Sequence, residues 1–196
     1  MTSGRLIYLI GPSGVGKDTL LRAAAQQLAH RDDVRFPRRI ITRPCSPHRN
    51  QEQELYEAAD ESAFQSLERR GEFLVTWRSH GLAYGLPVAI REDLAAGRDV
   101  VVNGSRGALP QARAAVARIL PVYVWADVET LAERLRQRAR EDTAGIERRL
   151  ARGNAYAIPD DALVIDNSAN LDDAIAALCR VLAEPSTDAD YHGRIA

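Results

Sequence analysis

Residues 6–28 read LIYLIGPSGVGKDTLLRAAAQQL, and the character of this stretch changes twice. Leu6 to Ile10 is a short apolar run closed by Gly11-Pro12, the pattern of a buried parallel strand. After Lys17, the residues Leu20, Leu21, Ala24 and Leu28 recur at helical spacing. Between them, Gly11-Pro12-Ser13-Gly14-Val15-Gly16-Lys17 matches GxxxxGK. In that pattern successive backbone N–H groups turn inward as an anion nest, the helix N-terminus adds partial positive charge, and the lysine reaches the β and γ phosphates of a nucleotide. Strand, glycine loop and helix in this order are the context the motif requires.

The lysine is itself a signal. Of 26 basic residues, 25 are arginine and one, Lys17, is lysine. Arginine meets most surface roles of a cation, whereas a compact ammonium inserted between phosphates has no guanidinium equivalent. The motif departs from its usual ending, because Ser or Thr normally follows the lysine to meet Mg²⁺, and here Asp18 follows, with Thr19 next. Asp18 beside phosphates is repulsive unless a cation lies between them, so it either holds water around Mg²⁺ or caps the helix. Thr19 is the better candidate for the hydroxyl role.

Outward from this loop, further apolar runs lie at Arg39–Thr42, Phe73–Trp77, Val100–Val102, Val122–Trp125 and Leu163–Ile165. Helical segments separate them. Ala63–Arg70 carries Phe64 and Leu67 on one face. One helix opens at Pro87 and stops at Gly97, another opens at Pro110, a third is capped by Asp127 and carries Leu131 and Leu135, and the last carries Leu171, Ile175, Leu178 and Leu182. Alternating strands and helices predict an α/β sheet, mostly parallel. Two stretches interrupt the alternation. One, from about residue 37 to 87, is polar and reads as an inserted lobe. The other, Arg134 to Arg152, carries seven arginines against Glu141, Asp142 and Glu147. A solvated face balanced by acid pairs would carry more carboxylates, so these arginines read as a lid over transferring phosphate. Residues 184–196 are polar and read as a disordered tail.

Composition bounds the rest. With 196 residues, 45% of them hydrophobic, the chain suits one domain that buries its core without disulfides. A net charge of −1 lacks the basic excess of a nucleic-acid or membrane-surface binder. Leu6–Ile10 is too short for a signal-peptide core or a span, so the expected setting is cytoplasmic. Cys45 and Cys179 are expected as reduced thiols. His30, His48, His80 and His192 show no metal-ligand spacing.

Five stretches together resemble one family: GPSGVGKDTL at 11–20, RRIITRP at 38–44, HGLAYGLP at 80–87, VVVNGSRGAL at 100–109, and RLRQRARED with IERRLAR within 134–152. The chain resembles the guanylate-kinase-like P-loop kinases, and within them most the ribose 1,5-bisphosphate phosphokinases of phosphonate catabolism. The resemblance implies a five-stranded parallel sheet flanked by helices. It divides the chain into a core (1–36, 88–130 and 153–183), an acceptor-binding lobe (about 37–87) and an arginine-rich lid (about 134–150). It implies ATP and Mg²⁺, with Gly11 through Thr19 around the nucleotide, Asp18 and Thr19 toward the metal, and Arg134, Arg138 and Arg149 on ATP and the transferring phosphoryl group. Thr42, Arg43, Tyr56 and Tyr84 would hold the acceptor's phosphate.

Departures from a true guanylate kinase bear on the acceptor. Guanine presents N–H donors that need buried carboxylates, which that family supplies in FxE and LDxD segments. Here Val75 ends Phe73-Leu74-Val75, and Asn103 and Ser105 replace the second pair. An unpaired donor costs about 1–3 kcal/mol. In exchange the lobe gains Arg39 and Arg106, which suits a base-free sugar bisphosphate. Asn103 and Ser105 could bond ribose hydroxyls, and His80 either does the same or is a structural hydrogen-bonder. The expected activity is therefore ATP-dependent phosphorylation of the 1-phosphate of ribose 1,5-bisphosphate, giving 5-phosphoribosyl 1-diphosphate, by a monomer or homodimer. The rivals are a guanylate or other nucleoside monophosphate kinase, a binding module without catalysis, and a regulatory GTPase, which would need an NKxD lysine that this chain lacks.

Overall fold

The computed structural model describes residues 3–43, 55–137, 157–183 and 194–195. Its centre is strand β1 (Leu6–Ile10), every residue of which is buried. Both faces are covered, so the strand is apolar throughout instead of alternating. Side-chain alternation along β1 still sorts the molecule into two cores. Ile7 and Leu9 pack with helix α1 (Lys17–Gln27) through Leu20, Leu21 and Ala24, and with the C-terminal helix through Ile175, Leu178 and Leu182. Leu6, Tyr8 and Ile10 face the other way, toward Leu74, Val75, Leu86, Ile90 and Leu109.

The central sheet has the order β10-β9-β8-β1-β7-β2, with β2 at Val34–Arg35, β7 at Asp99–Asn103, β8 at Ile119–Trp125, β9 at Leu163–Asp166 and β10 at Arg194–Ile195. Every pairing in it is parallel. At the end of the sheet opposite the glycine loop, Arg5 is 5% exposed and clamped to Asp99. Its backbone N donates to Oδ1 at 2.7 Å and its Nη2 to Oδ2 at 2.5 Å.

A second sheet has the order β4-β3-β6-β5, formed by β3 (Arg39–Ile41), β4 (Tyr56–Ala58), β5 (Phe73–Ser79) and β6 (Leu82–Pro87). The β5–β6 pair is an antiparallel hairpin whose register shifts between Phe73 and Val75. This irregularity explains why the consecutive residues Leu74 and Val75 are both buried. Helix α2 (Glu61–Arg69) is capped by Asp60, whose Oδ1 accepts from Ala63 N at 2.7 Å. The remaining helices are α3 (Ile90–Ala95), α4 (Leu109–Ala115), α5 (Val128–Gln137) and α6 (Leu171–Ala183). Asp127 caps α5 through Thr130 N at 2.7 Å.

Two expectations change. Pro87 closes β6, and α3 begins at Ile90, because Pro87 extends the hairpin opposite Phe73. Three segments, β2, β4 and β6, are strands without an apolar run to announce them. The expected five-stranded parallel sheet is present as β9-β8-β1-β7-β2, and Arg194 and Ile195 pair with Val164 and Ile165 along its β9 edge. Cys45 and His48 lie outside the described residues, and so do His192 and most of the lid segment.

Candidate active site at the carboxyl ends of the central strands

Parallel strands deliver their carboxyl ends to one edge of the sheet, and β1 is the strand at which the chain order switches direction, the usual place for a ligand crevice in such folds. Gly11, Asn103, Ala126 and Asn167 each follow or end one of these strands.

The glycine loop wraps from β1 into α1, whose N-cap is Gly16 with φ +97°. A Cβ there would come within 2.6 Å of Asn167 Nδ2, so the position requires glycine for conformation and for space. Lys17 curls back over the loop, and Nζ donates to the Gly11 and Pro12 carbonyls at 2.8 Å each. Those two oxygens occupy the donors that phosphate oxygens would take.

Asp18 stands in the first turn of α1, behind the N-cap Gly16. Its Oδ1 accepts from Asn103 Nδ2 at 2.6 Å and from Arg39 Nη2 at 2.8 Å. Crowding by protein raises the carboxyl's pKa, but Arg39 and the Asn103 amide, then Lys17 and Arg43, outweigh it and hold Asp18 below the usual carboxylate range. It is therefore an anion at neutral pH, although its side chain remains 56% exposed.

Arg39 starts β3, with 11% of its side chain exposed. Nη1 donates to the Asn103 carbonyl at 3.2 Å, the guanidinium lies 5.8 Å from the Tyr84 ring centroid, and Nε is buried without a partner among the described residues. Tyr84 is stacked cross-strand on Trp77, with centroids 5.2 Å apart and planes 2° apart. Arg43 lies over Tyr56 at 5.5 Å.

Tyr8 braces the turn after β7. Its hydroxyl accepts from Ser105 N at 3.1 Å and donates to Ser105 O at 3.3 Å. Burial pushes its pKa up to about 12, with the Ser105 backbone and Arg39 opposing. Gly104 lies against the ring so closely that a Cβ would sit 2.1 Å from Tyr8 Cζ. Arg106 begins a 3-10 turn directly after Ser105.

Asn167 links the loop to α5. It is 1% exposed, and its Nδ2 donates to Val15 O at 2.7 Å. Its backbone N donates to Trp125 O at 2.7 Å, and its carbonyl accepts from Arg134 Nη1 at 2.8 Å. Arg134 is thus anchored beside the glycine loop. Sequence reading misses Asn167 and Tyr8. The available signals were a polar residue just beyond the C-terminal end of an apolar strand and a lone aromatic hydroxyl inside one.

The other expected residues divide into three groups. Thr42 accepts from Ala83 N at 2.7 Å through its hydroxyl oxygen, so that oxygen joins two strands. His80, exposed and with φ +51°, occupies the first position of the two-residue turn joining β5 to β6, a hairpin role. Arg138 and Arg149 lie outside the described residues.

The residues present suit a nucleotide and its cation. The glycine backbone leaves a cradle, Lys17 holds stand-in carbonyl oxygens, and Asp18 offers an anionic oxygen on the first turn of α1, with Thr19 exposed beside it. Among the described residues no group of three or more His, Cys, Asp or Glu forms a protein-built metal site, so a cation here would be shared with phosphates and water.

The guanylate kinase family matches residues 3–185 of the chain. The ribose 1,5-bisphosphate phosphokinase PhnN of Pseudomonas paraeruginosa is 46% identical over 178 residues, covering 90% of this chain and 94% of that one. The protein of the same name from Agrobacterium fabrum is 42% identical over 180 residues, covering 91% and 96%. Among solved structures, the guanylate kinase of Anaplasma phagocytophilum superimposes with a TM-score of 0.65 at 18% identity, covering 93% of this chain and 86% of that one, which shows a common fold.

Proposed function

The chain belongs to the guanylate kinase family and, by its near-full-length relatives, to the ribose 1,5-bisphosphate phosphokinases, and from that premise we propose how its residues carry out the transfer. The enzyme moves the γ-phosphoryl group of ATP onto a 1-phosphate oxygen of ribose 1,5-bisphosphate, giving 5-phosphoribosyl 1-diphosphate and ADP. The observation that carries this reading is the 46% identity over 90% of the chain, and the floor of the site is consistent with it. Val75, where a guanylate kinase would read a base edge with Glu, is 0% exposed inside the core, and the Asn103 amide is committed to Asp18. What meets the first turn of α1 is the Arg39 guanidinium.

The acceptor is already an anionic oxygen, so no strong base is required. The task is to align two anions and quench their repulsion. Lys17 exchanges the Gly11 and Pro12 carbonyls for phosphate oxygens, while the loop amides and the α1 N-terminus hold the nucleotide. Asp18 and Thr19 are the residues that would hold the shell of a Mg²⁺ ion, which would supply further charge neutralisation. Arg39 receives the acceptor phosphate with Arg43, Tyr56 and Tyr84 around it, and Asn103, Ser105 and Arg106 line the turn beside the ribose. Arg134, with Arg138 and Arg149 of the lid segment, stabilises the transferring group.

The test compares acceptors in a coupled ADP-release assay. Brisk turnover of ribose 1,5-bisphosphate with GMP at least a hundredfold poorer is expected. Turnover of GMP with none of the bisphosphate overturns the reading.

A further inference from the structure

We infer that the Asp18–Arg39 ion pair couples the two halves of the site, so that binding of either substrate tightens binding of the other. The inference deepens the reading above and rests on it. Asp18 belongs to the nucleotide half, because it is the residue after Lys17 on the first turn of α1. Arg39 belongs to the acceptor half, because it opens β3 of the second sheet. The two meet at 2.8 Å. A chain with Ser or Thr after the lysine has no carboxylate at this position, so the contact is particular to the Asp18 departure from GxxxxGK[ST].

Each partner is also what an incoming ligand needs. A phosphate dianion entering the acceptor sheet meets a guanidinium that gives one Nη2 proton to Asp18 and one Nη1 proton to the Asn103 carbonyl, and whose buried Nε has no partner among the described residues. A divalent cation arriving with nucleotide phosphates meets a carboxylate whose Oδ1 already accepts from Arg39 and Asn103. Full engagement of either ligand weakens the same pair, and that cost is met only once. The ligand that binds second finds its partner released, which is positive coupling and is reciprocal by linkage. The Asp18 side chain is 56% exposed while that of Arg39 is 11% exposed. Solvent therefore screens the pair, and the coupling belongs at the low end, about fivefold.

Isothermal titration calorimetry decides this without turnover. The acceptor Kd is measured with and without saturating Mg²⁺ and the β,γ-imido analogue of ATP, in wild type, Asp18→Asn, Asp18→Ser and Arg39→Gln. For wild type the acceptor is expected to bind about fivefold tighter with the Mg²⁺ analogue and not tighter when EDTA replaces Mg²⁺. In both Asp18 variants the ratio is expected within about twofold of one, whatever the absolute Kd, with folding checked by circular dichroism. Arg39→Gln is likewise expected to lose the ratio. An uncoupled wild type, or coupling retained in both Asp18 variants or in Arg39→Gln, overturns the inference, since lid closure alone would then explain it. Running ribose 1,5-bisphosphate and GMP in parallel separates the two claims. If only GMP binds, the substrate reading fails and the ratio measured with GMP still decides the coupling. If neither binds, Arg39 is not an acceptor ligand and the coupling falls as well.

Discussion

Replacing Asn167 with alanine separates loop registration from stability. The side-chain amide donates to the Val15 carbonyl at 2.7 Å from a 1% exposed position, so truncation leaves that carbonyl unpaired at about 1–3 kcal/mol. The same truncation removes Oδ1, which is itself buried without a partner among the described residues, and returns a comparable amount. Adding a small packing loss, the net destabilisation is about 1–2 kcal/mol, or roughly 2–8 °C in Tm for a domain of this size. The Val15–Gly16 peptide, however, loses the contact that sets it against β9. A misplacement of about 1 Å costs on the order of a hundredfold in rate, equivalent to about 2.7 kcal/mol of barrier. Differential scanning fluorimetry paired with ADP-release kinetics reads both quantities. A Tm fall beyond about 12 °C with kcat within twofold of wild type would show Asn167 to be a packing residue and refute the reasoning.

Lys17→Ala is expected to lower kcat at least a hundredfold with an unchanged circular dichroism spectrum; near-normal turnover would remove the loop from the mechanism. Arg39→Ser is expected to raise the acceptor KM about tenfold and the ATP KM by less than threefold, and an equal rise in both would count against the acceptor sheet. Gly104→Ala forces a Cβ to 2.1 Å from the buried Tyr8 ring, so urea unfolding should show a loss of about 1–3 kcal/mol, and wild-type stability would contradict this. Because the pKa of Tyr8 is pushed up to about 12 from an ordinary 10, its contribution is complete below pH 10. That contribution is lost as pH rises through 12, by about 2–3 kcal/mol in total. Tyr8→Phe should lack this alkaline component, and parallel stability curves for the two proteins between pH 9 and 11.5 would exclude it.

The central sheet was legible because its strands are buried on both faces and read as uninterrupted apolar runs, with β1, β7, β8 and β9 standing within a residue or three of the expected positions. The glycine loop was legible because its chemistry demands particular residues at particular spacing. The strands that escaped notice are held by other means. Tyr56–Ala58 forms by pairing with Arg39–Ile41 across the inserted lobe, and Leu82–Pro87 owes its place to the turn at His80-Gly81 and to its register with β5. Periodicity within a segment carries no trace of such partners. The floor shows the same limit. Arg39 and Asp18 were each visible as departures from a pattern, but their contact joins residues 21 apart in sequence, and it follows from how the second sheet lies against α1. Asn167 was hidden for a related reason, since its amide reaches a loop 152 residues away.

The two sheets are not independent bodies. Leu74, Val75 and Leu86 of the β5–β6 hairpin are 6%, 0% and 1% exposed and pack in the same cluster as Leu6, Tyr8, Ile10 and Val102 of the central sheet. Swinging that hairpin outward as a rigid flap would wet three aliphatic side chains, at about 1.5–3 kcal/mol each, more than one phosphate contact returns. The inner half of this hairpin is therefore held against the central sheet. On the reading proposed above, redesign toward other phosphorylated sugars starts at the rim around Arg39, Tyr56 and Tyr84, where a change of shape leaves that shared core dry.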